Sequence, residues 1–197
     1  PLFLYIGGTL FVGRDKGFDA VDILDVISRE KITFTSLIPT HYSLILNVPE
    51  EVRKKYGVSS IKKLLCSSAP ARSIVKKGIL EYFKNVELFE AYGSTEAGMV
   101  TLLRPEDQLR KIGSIGRECL GTDTIKLLSE NGKEVGIGEV GELYSRGPMM
   151  FKEYYKMPEK TKASFKGDYF TARDMAKKDE EGYYYLVDRK DNMIITG

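Results

Sequence analysis

Histidine, cysteine and net charge are all scarce in this sequence. One histidine, His41, and two distant cysteines, Cys66 and Cys119, supply no ligand set for a structural zinc ion. The same scarcity leaves a Ser-His-Asp or Cys-His triad without support, and no Gly-x-Ser-x-Gly elbow is present. His41 reads instead as a partly exposed helix residue. So few cysteines fit a reducing compartment. Lys and Arg number 30 against 28 Asp and Glu, a net charge of +2 that is too small to favour nucleic acid or an acidic membrane as partner. No apolar run approaches the roughly 20 residues that span a bilayer, and no signal-peptide pattern opens the chain. The expected location is the cytoplasm.

What is present is an ordinary globular balance, 42% hydrophobic and 29% charged over 197 residues, enough for one large or two small cores. Glycine is unevenly spread: residues 1–112 hold eight, and the 35 residues from Gly113 to Gly147 hold eight more. The architecture is therefore expected to change near 105–113, giving an α/β subdomain over 1–108 and a β-rich, barrel-like subdomain over 109–197. In the first part, Asp19 caps a stretch whose Val21, Leu24 and Ile27 recur at helical spacing. A β-branched run over 32–38 predicts a buried strand, Pro39 and Thr40 open a second helix carrying Tyr42, Leu44 and Ile45, and strands over 61–66 and 86–89 flank a helix over 71–84. Short apolar strands that each end in a polar or glycine loop are the pattern of a parallel sheet with ligand loops at its carboxyl edge. In the second part, 125–129, the Asn131-Gly132 turn, 141–145 and 183–187 predict short antiparallel strands, curled into a small barrel or a strongly bent sheet, with one helix over 158–165.

The sharpest segment runs from Leu88 to Gly98, an apolar strand leading into Tyr92, Gly93, Ser94, Thr95 and Glu96. Such a turn exposes backbone N–H groups, Thr95 has a hydroxyl for a phosphoryl oxygen, and Glu96 is a hard oxygen ligand suited to magnesium. The same residues also suit a plain strand-loop-helix corner with Ser94 or Thr95 as N-cap, and spacing alone favours that corner. Ser67-Ser68-Ala69-Pro70 follows the preceding strand and would lie at the same edge, where small residues let a planar ring approach; alone it reads as the start of a helix at Pro70. Asp174 suits paired ribose hydroxyls and Arg189 suits polar oxygens, although a surface ion pair is the default for both.

Order changes the weight of these pieces. The chain resembles the adenylate-forming superfamily of acyl-CoA synthetases, nonribosomal peptide adenylation domains and luciferases, and is most similar to the fatty-acid and aryl CoA ligase branch. Tyr92-Gly93-Ser94-Thr95-Glu96 matches the Tyr-Gly-x-Thr-Glu core motif. Gly141-Glu142-Leu143, Arg146-Gly147-Pro148 and the stretch 154–165, with Pro158, Glu159 and Thr161, resemble the approach to the ribose-binding aspartate, and 188–195 resembles the hinge motif. The stretch 32–44 is also family-like.

The resemblance implies ATP-dependent activation of a carboxylic acid, most simply a fatty acid, as an acyl-adenylate, followed by transfer to coenzyme A. By position, Ser68, Ala69 and Pro70 would line one face of adenine and Tyr92 the other, with Gly93 and Ser94 in the same nucleotide loop. Thr95 would meet phosphate, Glu96 would hold Mg²⁺, Asp174 and Arg189 would hold ribose, and Asp191 would be the interdomain hinge. Ala172-Arg173-Asp174 stands where the family usually has Thr-Gly-Asp, which keeps the aspartate and loses a hydroxyl and a glycine. The family's upstream phosphate loop and its C-terminal lysine domain have no counterpart in the sequence, so the expectation is a fragment, inactive by itself and prone to self-association through uncovered apolar surface. Glu90-Ala91 before Tyr92 disfavours an amino-acid adenylation domain, and the rival reading is a noncatalytic nucleotide- or acyl-binding module. Gly98, Met99, Val100 and the helix after Pro39 suit an acyl pocket and equally suit core packing.

Overall fold

The computed structural model describes residues 2–12, 17–119, 121 and 123–189. A short helix α1 (Leu2–Tyr5) precedes α2 (Ala20–Arg29), whose first turn is fixed by Asp19: its Oδ1 accepts from the N–H groups of Val21 at 2.8 Å and Asp22 at 3.0 Å. α2 buries Leu24 and Ile27 and leaves Val21 outward, so the helical spacing in the sequence marks a real apolar stripe. α3 (Pro39–Asn47) starts on its proline, which needs no N–H there, and buries Tyr42 and Ile45. α4 is a single turn (Glu50–Arg53), and α5 (Ser73–Tyr82) packs tightly on α3, where a Cβ at Gly78 would meet Leu46 Cδ1 at 2.8 Å.

Five strands form the first sheet in sequence order: β1 (Phe34–Leu37), β2 (Lys63–Cys66), β3 (Glu87–Ser94), β4 (Gly98–Leu103) and β5 (Arg117–Glu118). β1, β2 and β3 are parallel, and β4 and β5 continue antiparallel. One core, built from Leu24, Ile27, Tyr42, Ile45, Leu64, Ile79, Phe83 and Leu88, sits between this sheet and its helices. β1 is only half-buried.

The predicted strand over 86–89 runs on to Ser94, and no helix follows it. β3 turns through 95–97 into β4 as a hairpin, so the strand-loop-helix corner is not formed. Glycine is what permits this: a Cβ on Gly93 would sit 2.0 Å from the carbonyl oxygen of Gly98, and Gly98 itself has φ +69°.

The second sheet is antiparallel: β6 (Ile125–Leu128), β7 (Gly141–Ser145), β8 (Phe165–Lys166), β9 (Tyr169–Lys178) and β10 (Tyr184–Arg189), in the order β10-β9-β7-β6 with β8 on β9. β6, β7 and β10 lie within a residue or two of their predicted spans, while β9, a ten-residue strand, has no counterpart among the sequence-based expectations. α6 (Pro158–Ala163) ends before Phe165 because that residue enters β8. A second core of Val100, Ile115, Ile125, Leu127, Leu143, Phe170, Ala176 and Tyr184 joins the sheets.

The linking segment is held firmly. After a 3₁₀ turn (Pro105–Asp107), Ile115 donates its N–H to the Tyr184 carbonyl and Tyr184 donates back to Gly116, each at 2.9 Å. The Tyr184 hydroxyl donates to Glu118 at 2.9 Å. Buried Asp107 accepts from the Tyr183 hydroxyl at 2.6 Å and from Arg110 at 2.8 and 3.0 Å. Lys111 reaches Asp179 at 2.8 Å and Glu181 at 2.5 Å. The β9–β10 turn is thereby tied to the chain that leaves β4. Apolar side chains stand exposed near the start of the chain, among them Leu4, Tyr5, Ile6 and Val12. Among the described residues no helix is long and apolar enough to cross a membrane.

Candidate nucleotide site

Two strands from different sheets meet at one carboxylate. The Tyr92 hydroxyl, on β3, donates to Asp174 Oδ2 on β9 at 2.6 Å, and Arg189 Nε, on β10, donates to Oδ1 at 3.2 Å. Arg189 is the register partner of Asp174, which explains that approach. The Asp174 side chain is 14% exposed and that of Arg189 is 65% exposed, so the tyrosine contact is the drier of the two. Burial, and then the bond to Asp174, push the Tyr92 phenol above its ordinary range, which keeps it a donor.

A bulge aims Asp174 at Tyr92. Glu142 pairs with Met175 and Tyr144 pairs with Thr171, so Ala172, Arg173 and Asp174 stand opposite Leu143 alone. Extra residues of this kind bend a strand and redirect its side chains. Arg173 takes φ +66°, the left-handed region where glycine rests without strain. Ala172-Arg173-Asp174 thus places an arginine at a backbone conformation that glycine tolerates best. A hydroxyl is supplied one residue earlier: Thr171 Oγ1 accepts from the Arg173 N–H at 2.8 Å and donates to Glu142 at 3.0 Å.

The β3–β4 hairpin carries the rest. Ser94 Oγ accepts the Ala97 N–H at 3.0 Å and closes the turn, Thr95 is exposed at its tip, and Gly93 is exposed beside it. Glu96 is held from a distant segment: Tyr154 donates its hydroxyl to Oε1 at 2.8 Å, and Phe151 donates its N–H to the Glu96 carbonyl at 2.7 Å. The Tyr154 hydrogen bond is the main reason the Glu96 carboxyl lies below its ordinary range. Thr161 steadies Tyr154 by accepting its N–H at 3.0 Å. Tyr154 was readable only as part of the stretch before the aspartate; nothing in its spacing linked it to Glu96.

Ser68, Ala69 and Pro70 are exposed in the loop after β2, with Ser68 at φ +73°. Cys66 is the register partner of Glu90, so this loop leaves the sheet edge two residues from Tyr92. Ala69 and Pro70 also border a groove of about 1020 Å³ between α3 and α5, which Thr40, Ser43 and Leu46 line as well. The structure therefore gathers Tyr92, Asp174 and Arg189 by direct contact and sets 68–70 and the hairpin 93–96 on either side of Tyr92 along the chain. Asp191 lies outside the described residues.

The sequence pattern of the AMP-binding enzyme family matches residues 2–155. The chain belongs to the AMP-binding enzyme family. It is 32% identical over 96% of its length to an uncharacterised acyl-CoA ligase of Bacillus subtilis, and 36% identical over 91% of its length to a long-chain-fatty-acid–CoA ligase of the same organism. It spans 35% and 32% of those two proteins, about a third of each. Among solved structures it resembles the amide bond synthetase of Marinactinospora thermotolerans, with TM-score 0.81 and 26% identity over 90% of this chain and 36% of that one. It also resembles the O-succinylbenzoate coenzyme A synthetase of Bacillus subtilis in complex with ATP and magnesium ion, with TM-score 0.77 and 28% identity over 91% of this chain and 36% of that one. The resemblance to adenylate-forming enzymes seen in the motifs thus extends to the fold, a mixed α/β sheet followed by an antiparallel sheet.

Proposed function

We propose that this chain supplies the adenine, ribose and part of the phosphate and metal subsites of an ATP-dependent acyl-CoA ligase. The observation that carries the reading is the Tyr92–Asp174–Arg189 cluster, in which two sheets present an aromatic ring and an oriented carboxylate side by side. A carboxylate has about four acceptor positions, so Asp174 retains acceptors for two ribose hydroxyls while Tyr92 and Arg189 hold it in place. Ser68, Ala69 and Pro70 would take one face of adenine and Tyr92 the other. Gly93 and Ser94 bring backbone close to the nucleotide, and Thr95 at the turn tip would donate to phosphate.

The residues present suit a magnesium ion that arrives with phosphates. Such an ion takes one or two protein carboxylates and completes its shell with phosphate and water oxygens. Glu96 offers one carboxylate, oriented by Tyr154 and held below its ordinary pKa. Among the described residues no group of three or more His, Cys, Asp or Glu side chains converges to hold a metal unaided. When bound, the ion supplies neutralising charge at phosphoryl oxygens. Glu96 would hold it and Tyr92, through Asp174, would fix the nucleotide for in-line attack by a carboxylate at the α-phosphate, a step that depends on positioning and electrostatics. The acid becomes an acyl-adenylate as pyrophosphate leaves, and the thiolate of coenzyme A then displaces AMP.

The acid is read as a fatty acid on the strength of the ligase relatives, and the groove beside Ala69 and Pro70 is the candidate for its chain. The test is acid-dependent pyrophosphate release by the intact protein with ATP and Mg²⁺, across fatty and aryl acids, with AMP binding measured in parallel. Release with a fatty acid, lost in Glu96→Ala, is expected, together with weakened AMP binding in Asp174→Ala. No release with any acid, or AMP affinity unchanged in Asp174→Ala, overturns the reading.

A further inference from the structure

Directly behind the loop 67–71 lies an ion pair that the proposed chemistry does not touch. Lys76, on α5, is 1% exposed and Glu90, on β3, is 4% exposed, and their side chains pair through Lys76 Nζ and Glu90 Oε2. The other carboxylate oxygen, Oε1, accepts the N–H of Ala71 at 3.2 Å. Glu90 therefore touches three elements at once: its own strand two residues before Tyr92, the helix that the loop leads into, and the backbone of the loop itself.

Burying two charges is expensive, and a pair of this kind is often no more stable than apolar side chains of similar volume. Stability alone gives little reason for it. The loop gives a better one. Ser68, Ala69 and Pro70 are exposed and Ser68 has φ +73°, so the segment has few apolar contacts of its own to fix its shape. The Ala71 N–H is buried, and Glu90 is its acceptor. Burial, and next the Glu90 carboxylate, raise the neighbouring Cys66 thiol to about 12, while Lys76 acts in the opposite direction.

We propose that Glu90, with its charge balanced by Lys76, is a positioning residue for the adenine loop: Oε1 clamps the Ala71 amide and so sets 68–70 at a fixed distance from Tyr92. This rests on the adenine reading of that loop. Glu90 touches no nucleotide; it acts through Ala71.

Two double variants in the intact protein separate the clamp from the ion pair. Lys76→Met/Glu90→Gln removes both charges and keeps an acceptor for Ala71. Lys76→Met/Glu90→Leu removes both charges and the acceptor. Neither leaves a lone buried charge, so both are built to fold, which thermal melts will verify. AMP binding is followed by calorimetry, and hydrogen exchange of the Ala71 amide is followed without nucleotide. The glutamine double is expected to hold AMP within about threefold of wild type and keep Ala71 protected. The leucine double is expected to bind AMP about tenfold more weakly, or about 1.4 kcal/mol, with Ala71 exchange accelerated at least as much and a melting temperature close to that of the glutamine double. Equal AMP affinity and equal Ala71 exchange in the two doubles, with wild type binding AMP, overturn the positioning role alone. Wild-type protein that fails to bind AMP overturns the adenine reading and the nucleotide role of Glu90 with it.

Discussion

Tyr92→Phe removes one oxygen atom and, on this structure, a disproportionate amount of order. The lost bond is a 2.6 Å phenol-to-carboxylate contact with a side chain only 14% exposed. A hydrogen bond to a charged group contributes about 1.5–3 kcal/mol net. The Arg189 contact to the same carboxylate is longer, at 3.2 Å, and its guanidinium is 65% exposed, which places it in the class worth about 0–1 kcal/mol. A double-mutant cycle of Tyr92→Phe with Asp174→Ala, read by urea denaturation, should therefore give a coupling energy of about 2 kcal/mol. The cycle of Arg189→Ala with Asp174→Ala should give less than about 1 kcal/mol. At about 2–4 °C per kcal/mol for a domain of this size, Tyr92→Phe alone is expected to lower Tm by roughly 4–8 °C. Because burial and Asp174 raise the Tyr92 pKa, the folded phenol stays protonated, and the coupling should hold steady between pH 6 and about 9. A Tyr92–Asp174 coupling under about 0.5 kcal/mol, or one smaller than that of Arg189, would refute the reasoning that this bond joins the sheets at the site.

Gly93→Ala should destabilise by about 2–4 kcal/mol, because its Cβ would lie 2.0 Å from the Gly98 carbonyl oxygen and only backbone movement relieves that; a melting temperature within a degree of wild type would contradict it. At position 173, where φ is +66°, a glycine variant should be more stable than an alanine variant by about 1 kcal/mol. Denaturation of the two variants side by side checks this, and an alanine variant equal to or better than glycine counts against the bulge geometry. Tyr154→Phe concerns pH. Glu96 is lowered from its ordinary 4.5, so the contact stabilises the fold above that value and the benefit disappears as pH falls through the lowered pKa. The gap between melts of wild type and Tyr154→Phe should be full at pH 6 and shrink as pH is lowered below 4.5; a gap that stays constant on acidification would show that the hydroxyl acts otherwise.

Local signals carried much of the first sheet. Asp19 with Leu24 and Ile27 marks α2, Pro39 with Tyr42 and Ile45 marks α3, and the apolar run before Cys66 marks β2. Each of these depends on neighbours within a few residues. β9 was illegible for the opposite reason: Arg173, Asp174, Lys177 and Lys178 break its apolar alternation, and the strand exists because β7 and β10 pair with it from either side. The end of β3 reads as loop because Gly93 and Ser94 are loop-like in isolation, whereas the contact with Gly98 makes them strand. In the site, the order of motifs was legible and the bonds were not. Tyr92 and Asp174 are 82 positions apart and Tyr154 and Glu96 are 58 apart, distances over which spacing says nothing.

Those long-range bonds need a frame that sets the second sheet against the first, and the Asp107 network provides it. Tyr183 and Arg110 bind Asp107 from one side, while Lys111 holds Asp179 and Glu181 at the β9–β10 turn. Asp174 and Arg189 lie further along the same two strands, so the turn fixes the end from which both residues are measured. The signs of the pKa shifts agree with a clamp that holds over a broad range. The Tyr183 hydroxyl is the first cause lowering Asp107 from 3.8, so its contribution is present above that value and lost as pH falls through the lowered one. Asp179 is the first cause raising Lys111 from 10.5, so that contribution is complete below 10.5 and lost as pH rises through the raised value. Between those limits both halves of the clamp are charged and paired. The carboxylate that Tyr92 grips is then held in place from the turn that joins β9 to β10.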